Sequence, residues 1–274
     1  MPSNDFIAAN RRNWDERVAI HRADRTGFYA VDRFLAGDKR LHAIESGELG
    51  DVSGKRLLHL QCHFGLDTLI LARHGAVVTG LDFSPPAIDA AKRLAAETRL
   101  AAEFVRAEVY GARDAVTGEF DIVFTTWGTI CWLPDVPRWA RVIASLLAPG
   151  GFLYFADAHP NMLVLEERDG RLVPEYAIDT PPNRPLVFDA PQTYSGDPTP
   201  LAARRTYEWI HSISRVVGAL LDARLVLEFL REHPFLPWPP FPMCVPAEGG
   251  MYRLPDHVPS FPLAYSLRAR KPAP

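Results

Sequence analysis

The sequence has little of what stabilises secreted or membrane-bound proteins. Of its 274 residues only three are cysteines, Cys62, Cys131 and Cys244, and no two of them form a CxxC pair. This spacing argues against a disulfide framework or a cysteine-rich zinc site, and we expect no metal. No run of about 18 apolar residues occurs, so no membrane span is expected. The start of the chain is polar and charged, unlike a secretory signal, and a cytoplasmic protein is expected.

The sequence also lacks an excess of basic charge. Its formal net charge is -3, with 47% hydrophobic and 23% charged residues, which is an ordinary globular composition. No basic field favours binding to nucleic acid or to an anionic membrane surface. We therefore expect a small-molecule partner, no nucleic acid and no membrane, with a homodimer as the protein partner to consider.

Proline, by contrast, is abundant, with 25 residues that cluster in 181–200 and 234–262. A compact domain rarely carries long irregular connections without a use for them. Aromatic side chains in 173–203 and 234–262 would form stiff apolar walls; they are Tyr176, Phe188, Tyr194, Trp238, Phe241 and Tyr252. We predict a substrate cap made from these loops and the N-terminal helix. Surface decoration or a dimer contact is the alternative.

Residues 57–73, LLHLQCHFGLDTLILAR, are the stretch around which the chain is organised. An apolar run over 57–60 meets a turn centred on Gly65, and helical spacing begins at Asp67. This order predicts a strand, a tight loop and a helix. In such a unit the loop and the first amides of the helix face a cofactor.

Strands and helices alternate through the first half of the chain. The pattern predicts strands at 56–60, 76–81, 103–105, 120–125 and 152–156, and later ones at 224–230 and 261–269. Helices are predicted at 5–21, 30–35, 66–74, 84–98, 134–147 and 213–223, and a hairpin turn at Asp169-Gly170. We predict an α/β fold: a Rossmann-like doubly wound seven-stranded sheet, mostly parallel with an antiparallel last strand.

The predicted organisation is an N-terminal helical cap over 1–50 and a main domain over 51–274, with cap insertions at about 160–206 and 234–262. A plain packing pair of helices is the alternative for the N-terminal region. Parallel strands place the loops that follow them along one edge of the sheet, where α/β folds bind ligands.

Polar residues end the second and third predicted strands. Asp82 ends the second strand, where its carboxylate would accept both hydroxyls of a ribose. Capping the next helix is the alternative role, although Ser84 is better placed for it. Phe83 would pack on an adenine face, and Glu108 and Val109 would meet the adenine edge, unless they form an ordinary exposed loop.

Taken together, these features resemble class I S-adenosylmethionine-dependent methyltransferases. The usual first motif is an acidic residue followed by alternating glycines; here His59 replaces the acid, Gln61 and His63 replace two glycines, and Gly65 remains. The loop looks like that of a subgroup carrying LQCHFG. The likeness extends over 120–160, over 207–235 and over the terminal FPLAYSLRARKP.

The resemblance implies S-adenosylmethionine as the cofactor, with S-adenosylhomocysteine as the product, and a role for each matching position. Gln61, Cys62, His63 and Gly65 would surround the methionine part, with Asp67 either holding the loop, contacting the cofactor or favouring the start of its helix. The loop after the fourth strand, with Thr126, Trp127 and Gly128, would lie beside the sulfonium.

The predicted substrate pocket contains four aromatic residues, Trp14, Tyr29, Trp132 and Trp238, and simple core packing is the alternative for the tryptophans of the fourth-strand loop. Methyl transfer needs a general base only when the acceptor is a hydroxyl or a protonated amine. The candidates are His159, His211 and His233, each of which could instead be a structural or surface histidine.

The function expected from these patterns is O- or N-methylation of a small organic molecule by in-line transfer. A protein that binds the cofactor without catalysis is the first alternative, because the divergent loop allows it. A nicotinamide-dependent oxidoreductase is the second, but it would favour a GxGxxG loop, and Gln61 and His63 obstruct that close approach to a pyrophosphate.

Overall fold

The computed structural model describes residues 4–38 and 40–273. The ends of the predicted cap and main domain, residues 1–3 and 274, and Lys39 lie outside the described residues. Within the described chain the α-helices are α1 (Asn4–Ala23), α2 (Val31–Leu35), α3 (Ala43–Glu48), α4 (Leu66–Arg73), α5 (Pro85–Thr98), α6 (Ala112–Ala115), α7 (Val136–Leu146), α8 (Pro160–Leu163) and α9 (Ile213–Asp222). None of the helices described is long and apolar enough to cross a bilayer.

The strands in the same residues are β1 (Arg56–Leu60), β2 (Val77–Asp82), β3 (Glu103–Arg106), β4 (Phe120–Thr126), β5 (Leu147–Ala158), β6 (Leu165–Arg168), β7 (Arg171–Pro174), β8 (Leu186–Asp189), β9 (Arg205–Glu208), β10 (Val226–His233), β11 (Val245–Pro246), β12 (Tyr252–Arg253) and β13 (Ala264–Arg270). Strands β6 and β7 form the predicted hairpin around Asp169-Gly170.

Seven strands form the main sheet in the order β10-β13-β5-β4-β1-β2-β3. The pairs β1–β2, β2–β3, β1–β4 and β4–β5 are parallel, and β13 is antiparallel to both β5 and β10. The predicted seven-stranded, mostly parallel sheet with an antiparallel last strand is therefore confirmed. Strand order reverses at β1, which pairs with β2 on one side and β4 on the other, and this switch point is where such sheets bind ligands.

Helices cover both faces of the sheet. Leu58 of β1 is buried in a cluster with residues of α7 and α9, whereas its neighbour Leu57 packs with Leu71 of α4. Alternate strand residues point to opposite faces, so β1 is buried on both sides. Local signals fix the helix starts: Ser84 caps α5 and Asp135 caps α7, each with proline in the first turn.

The predicted start of the fifth strand at residue 152 is wrong. Strand β5 begins at Leu147, because Leu147 already pairs with Phe120 of β4 before the Pro-Gly-Gly segment. Gly151 permits this, since a Cβ there would lie 2.8 Å from the carbonyl oxygen of Phe120. The strand predicted at 224–230 is also displaced and occupies Val226–His233, which puts His233 at its end.

Candidate active site

A cavity of about 570 Å³ lies at the carboxyl ends of the central strands, within the size range of small-molecule sites. Of the eleven predicted cofactor residues, those that line it are Gln61, Cys62, His63, Asp67, Asp82, Phe83, Glu108, Val109, Thr126 and Trp127. The four predicted substrate residues, Trp14, Tyr29, Trp132 and Trp238, line it as well. The topology thus brings these side chains into one space.

The loop after β1 is held in an unusual backbone conformation. Gln61 and His63 have φ of 55° and 51°, in the left-handed region that non-glycine residues seldom adopt, and Gly65 follows with φ of 77°. The Gln61 side chain donates to the carbonyl oxygen of Thr129 at 3.0 Å, and the His63 backbone N–H donates to Asp82 Oδ2 at 2.9 Å. These contacts compensate for the strain that glycine would avoid.

Gly65 does not line the cavity. A Cβ at this position would lie 2.7 Å from the ring of Phe104 and 2.8 Å from the Cβ of Ala91. The glycine is therefore required by packing behind the loop, and it acts on the cavity only by holding the loop in place.

Asp82 joins the loop to the end of β2. Its two carboxylate oxygens accept backbone N–H groups of His63 and Ser84, both at 2.9 Å. Burial raises its pKa to about 6, partly opposed by the bonds from Ser84 and His63, so the carboxylate is mainly ionised at neutral pH. The helix cap is Ser84, whose Oγ accepts from the N–H of Ala87 at 3.3 Å.

His59 and Asp67 form the end of the cavity nearest α4. Nδ1 of His59 lies 2.8 Å from Oγ1 of Thr68, and burial lowers the pKa of His59 to about 4, so the imidazole is neutral at pH 7. The acidic group at this end is instead Asp67, in the first turn of α4. An ammonium group bound here would meet the Asp67 carboxylate.

The loop after β4 is anchored by Asp157, a residue that our sequence analysis did not single out. The buried Asp157 carboxylate accepts the backbone N–H groups of Gly128, Thr129 and Ile130 at 2.7 to 3.1 Å. Trp132 Nε1 donates to the carbonyl oxygen of Gly128 at 2.7 Å. These bonds fix the β4 loop beside the β1 loop, to which Gln61 links it through the carbonyl oxygen of Thr129.

Trp127 is fixed by a second carboxylate absent from the predicted set, Glu45 of α3. Its indole N–H donates to Glu45 Oε1 at 2.7 Å, and burial raises the pKa of Glu45 to about 7, partly opposed by that bond. Trp238 stands edge-on to Trp127, with ring centroids 6.3 Å apart.

A further wall of the cavity comes from α1 and from the loop after β8, residues 190–199, here called the 190s loop. Nδ1 of His21 lies 2.9 Å from Nε2 of His63, and Nε2 of His21 lies 2.6 Å from Oγ1 of Thr193. The hydroxyls of Tyr29 and Tyr194 are hydrogen-bonded to each other. Burial lowers the pKa of His21 to about 2 and that of His63 to about 3, so both imidazoles are neutral.

The structure does not bring the three predicted base candidates into the cavity. His159 turns away after β5, with Nε2 2.9 Å from Glu232 and Nδ1 accepting the N–H of Asn161 as a helix cap. His211 lies 2.7 Å from the carbonyl oxygen of Leu133. His233 lies 2.8 Å from Oγ of Ser266. The histidines that line the cavity are His42, His59 and His63.

Comparison with known proteins gives matches to a family model and to curated relatives over part of the chain. A family model described as a methyltransferase domain matches residues 58–153. A ubiquinone biosynthesis O-methyltransferase of Pectobacterium atrosepticum is 32% identical over 130 residues, which cover 45% of this chain and 54% of that protein. The corresponding protein of Coxiella burnetii is 35% identical over 111 residues, covering 40% of this chain and 46% of its own. The chain thus spans about half the length of these curated relatives.

Solved structures share the fold over most of the chain. An S-adenosylmethionine-dependent methyltransferase of Mesorhizobium loti has a TM-score of 0.57 at 19% identity, covering 83% of this chain and 95% of its own. One from Clostridium acetobutylicum has a TM-score of 0.56 at 12% identity, covering 88% and 96%. At these identities the likeness concerns the fold.

The sheet order and the cavity at its switch point define a Rossmann-like methyltransferase fold. The matched methyltransferase domain, residues 58–153, runs from β1 into β5 and lies within this fold, which is that of class I S-adenosylmethionine-dependent methyltransferases. The cofactor of the domain is S-adenosylmethionine.

The residues present fit that cofactor. Three cavity-lining atoms, Gln61 Oε1, Glu108 Oε1 and Thr126 Oγ1, are buried without a hydrogen-bond partner. A buried polar atom without a partner needs an explanation, and a bound polar ligand supplies one at these three positions. All three can accept hydrogen bonds, and an adenine amine, ribose hydroxyls and an ammonium group are donors.

Proposed function

We propose that this protein is an enzyme that transfers the methyl group of S-adenosylmethionine to an oxygen or nitrogen atom of a small organic molecule. The observation that carries the proposal is that one cavity joins acidic and amide groups on the sheet edge to an aromatic wall on the N-terminal helix and the 190s loop. The first set suits a nucleoside with an amino acid tail, and the second suits an apolar acceptor.

In this proposal the strand ends hold the cofactor. Asp82 accepts the ribose hydroxyls, Glu108 and Phe83 contact the adenine, and Asp67 with Gln61 binds the amino acid end. When bound, S-adenosylmethionine supplies an activated methyl group on a sulfonium with a neutral thioether as the leaving group. The neutral state of His59 and His63 supports this assignment, since a charged imidazole would repel the sulfonium.

The chain contributes mainly positioning and exclusion of water, which suffice for an in-line displacement with a good leaving group. Trp127 is held by Glu45 and Trp132 by Gly128, so both rings have a fixed orientation beside the acceptor space. None of the predicted bases His159, His211 and His233 lines the cavity, so we propose that catalysis does not depend on them.

We further propose that the N-terminal region and the Pro-rich loops act together as a cap. Asn10 of α1 exchanges two hydrogen bonds with the backbone of Tyr207, at 2.7 and 2.8 Å, and Asn13 donates to the carbonyl oxygen of Ala203 at 2.6 Å. Limited proteolysis with and without S-adenosylhomocysteine tests the cap: protection of 160–206 by the ligand is expected, and unchanged cleavage contradicts it.

The function itself is tested in two stages. Calorimetric titration should show binding of S-adenosylmethionine and S-adenosylhomocysteine but not of nicotinamide dinucleotides; the opposite preference supports an oxidoreductase. Transfer of tritium from labelled S-adenosylmethionine is then measured with phenols, catechols and amines. Cofactor binding without transfer to any acceptor supports a non-catalytic binding protein instead.

A further inference from the structure

Arg17 is a buried cation without a partner in the aromatic half of the cavity. Only 6% of the residue is exposed, it lines the cavity, and its Nε has no hydrogen-bond acceptor. Its Cζ lies 5.0 Å from the ring centroid of Trp14, 5.9 Å from that of Trp132 and 5.4 Å from that of Tyr194. The guanidinium therefore sits among three rings that face the acceptor space.

The rings alone do not account for a buried guanidinium. Cation–π attraction stabilises the charge, but it does not provide the acceptor that the Nε–H lacks. Buried charges in proteins are ordinarily paired, because removing an ion from water costs several kcal/mol. No carboxylate of the described chain lies within ion-pair distance of Arg17.

Glu208 is the acidic group of the cavity on which the charge of Arg17 acts, but the two form no ion pair. Its Oε1 accepts a hydrogen bond from Thr206 at 3.2 Å. Burial raises the pKa of Glu208, partly opposed by the hydrogen bond with Thr206 and by the charge of Arg17. Glu208 therefore supplies no hydrogen-bond acceptor to the guanidinium, whose N–H groups can bind a ligand.

We propose that the methyl acceptor carries a carboxylate and that Arg17 binds it, which makes small aromatic or other apolar carboxylic acids the substrate class of the enzyme. This inference rests on the function proposed above. The planar guanidinium can donate two parallel N–H bonds to a carboxylate, and the surrounding rings can pack against an apolar body. Arg17 would then fix the acceptor so that its nucleophile faces the methyl group.

The amino acid end of the cofactor also carries a carboxylate, and the charge of Arg17 reaches His63 of the cofactor loop as well as Tyr194. The rings that surround the Arg17 guanidinium, those of Trp14, Trp132 and Tyr194, belong to the aromatic side of the cavity. We therefore assign the bound carboxylate to the acceptor, and the test below distinguishes it from the carboxylate of the cofactor.

The test compares carboxylates with their neutral amides on the protein saturated with S-adenosylhomocysteine. Benzoate and benzamide, phenylacetate and phenylacetamide, and indole-3-acetate and indole-3-acetamide are titrated by calorimetry into wild type, Arg17→Gln, Arg17→Lys and Arg12→Gln. Arg12 is the matched control, because it is exposed on the same helix.

We expect at least one carboxylate to bind wild type and Arg12→Gln more tightly than its amide, and Arg17→Gln to lose about 10- to 100-fold of that affinity, as for a lost charge-assisted pair. Arg17→Lys keeps the positive charge but not the two parallel N–H donors of the guanidinium, and it should lose less carboxylate affinity than Arg17→Gln. The affinity of S-adenosylhomocysteine should change less than about threefold in Arg17→Gln.

Two results overturn the inference. Equal binding of every carboxylate and its amide to wild type, a comparison that needs no variant, shows that the site does not recognise the charge. A loss of S-adenosylhomocysteine affinity of tenfold or more in Arg17→Gln, with 5′-methylthioadenosine affinity unchanged, assigns Arg17 to the cofactor carboxylate. In either case tritium transfer to neutral acceptors leaves the proposed function standing, whereas that function fails if wild type does not bind S-adenosylhomocysteine.

Discussion

Replacing Gly65 by alanine tests whether packing behind the cofactor loop, and not contact with the cofactor, requires glycine at this position. The new Cβ would lie 2.7 Å from Phe104 and 2.8 Å from Ala91, well inside van der Waals contact. Gly80 of β2 blocks movement of the Phe104 ring away from Gly65. A Cβ built on Gly80 would lie 2.7 Å from the same ring, so the ring is already packed against the β2 backbone.

The expected loss of stability in Gly65→Ala is the sum of a backbone term and a packing term. The left-handed backbone of Gly65 costs an alanine about 1–2 kcal/mol, and forcing a methyl group into a packed core costs about 1–3 kcal/mol more. We therefore expect Gly65→Ala to lower the free energy of unfolding by about 2–5 kcal/mol, measured by urea denaturation followed by circular dichroism.

Gly54→Ala is the matched control. Gly54 has a φ of 69°, close to the 77° of Gly65, but nothing lies within 4 Å of a Cβ built on it. Only the backbone term of about 1–2 kcal/mol should apply to the control. Equal losses in the two variants would refute the packing argument, and the loop would then owe its glycine to backbone conformation alone.

Three further predictions follow from groups around the cavity. Folding raises the pKa of Glu45 to about 7. Between the pKa of the unfolded chain and pH 7 the folded protein therefore binds more protons than the unfolded chain, and its free energy of unfolding falls as pH rises. Wild type should therefore lose about 2–3 kcal/mol more unfolding free energy than Glu45→Gln between pH 5 and 8, and parallel pH profiles contradict this. Asp157→Asn places an amide opposite backbone donors and should lower the unfolding free energy by about 2–4 kcal/mol in urea denaturation, whereas a change below about 0.5 kcal/mol contradicts the anchoring role. Gln61→Gly with His63→Gly should keep the loop conformation but weaken S-adenosylhomocysteine binding about tenfold in calorimetry, and unchanged affinity means that side chains do not hold the methionine part.

The sheet and most helices could be predicted from the sequence because their signals are local. The apolar run 120–125 matches β4, and Ser84 caps α5 where a serine precedes two prolines. The displaced start of β5 has a non-local cause, since the ladder with β4 overrides a Pro-Gly-Gly signal that ordinarily ends an element.

The predicted cofactor residues come together because parallel topology places consecutive strand ends along one edge. The partners that fix those residues could not be predicted, since they are distant in sequence: Glu45 is 82 positions from Trp127, and Asp157 is 29 from Gly128. Arg17 left a weak signal, because it follows Trp14 by three residues on the same helical face. The position of a residue at a strand end does not determine where its side chain points. His159 directly follows β5, but its ring turns toward Glu232.

A crystal structure of the protein with S-adenosylhomocysteine tests the central claim most directly. We predict that the ribose hydroxyls lie within hydrogen-bond distance of the Asp82 carboxylate, that the adenine lies beside Glu108, and that the amino group lies beside Asp67. A ligand bound outside this cavity, or one whose ribose makes no contact with Asp82, would contradict the account.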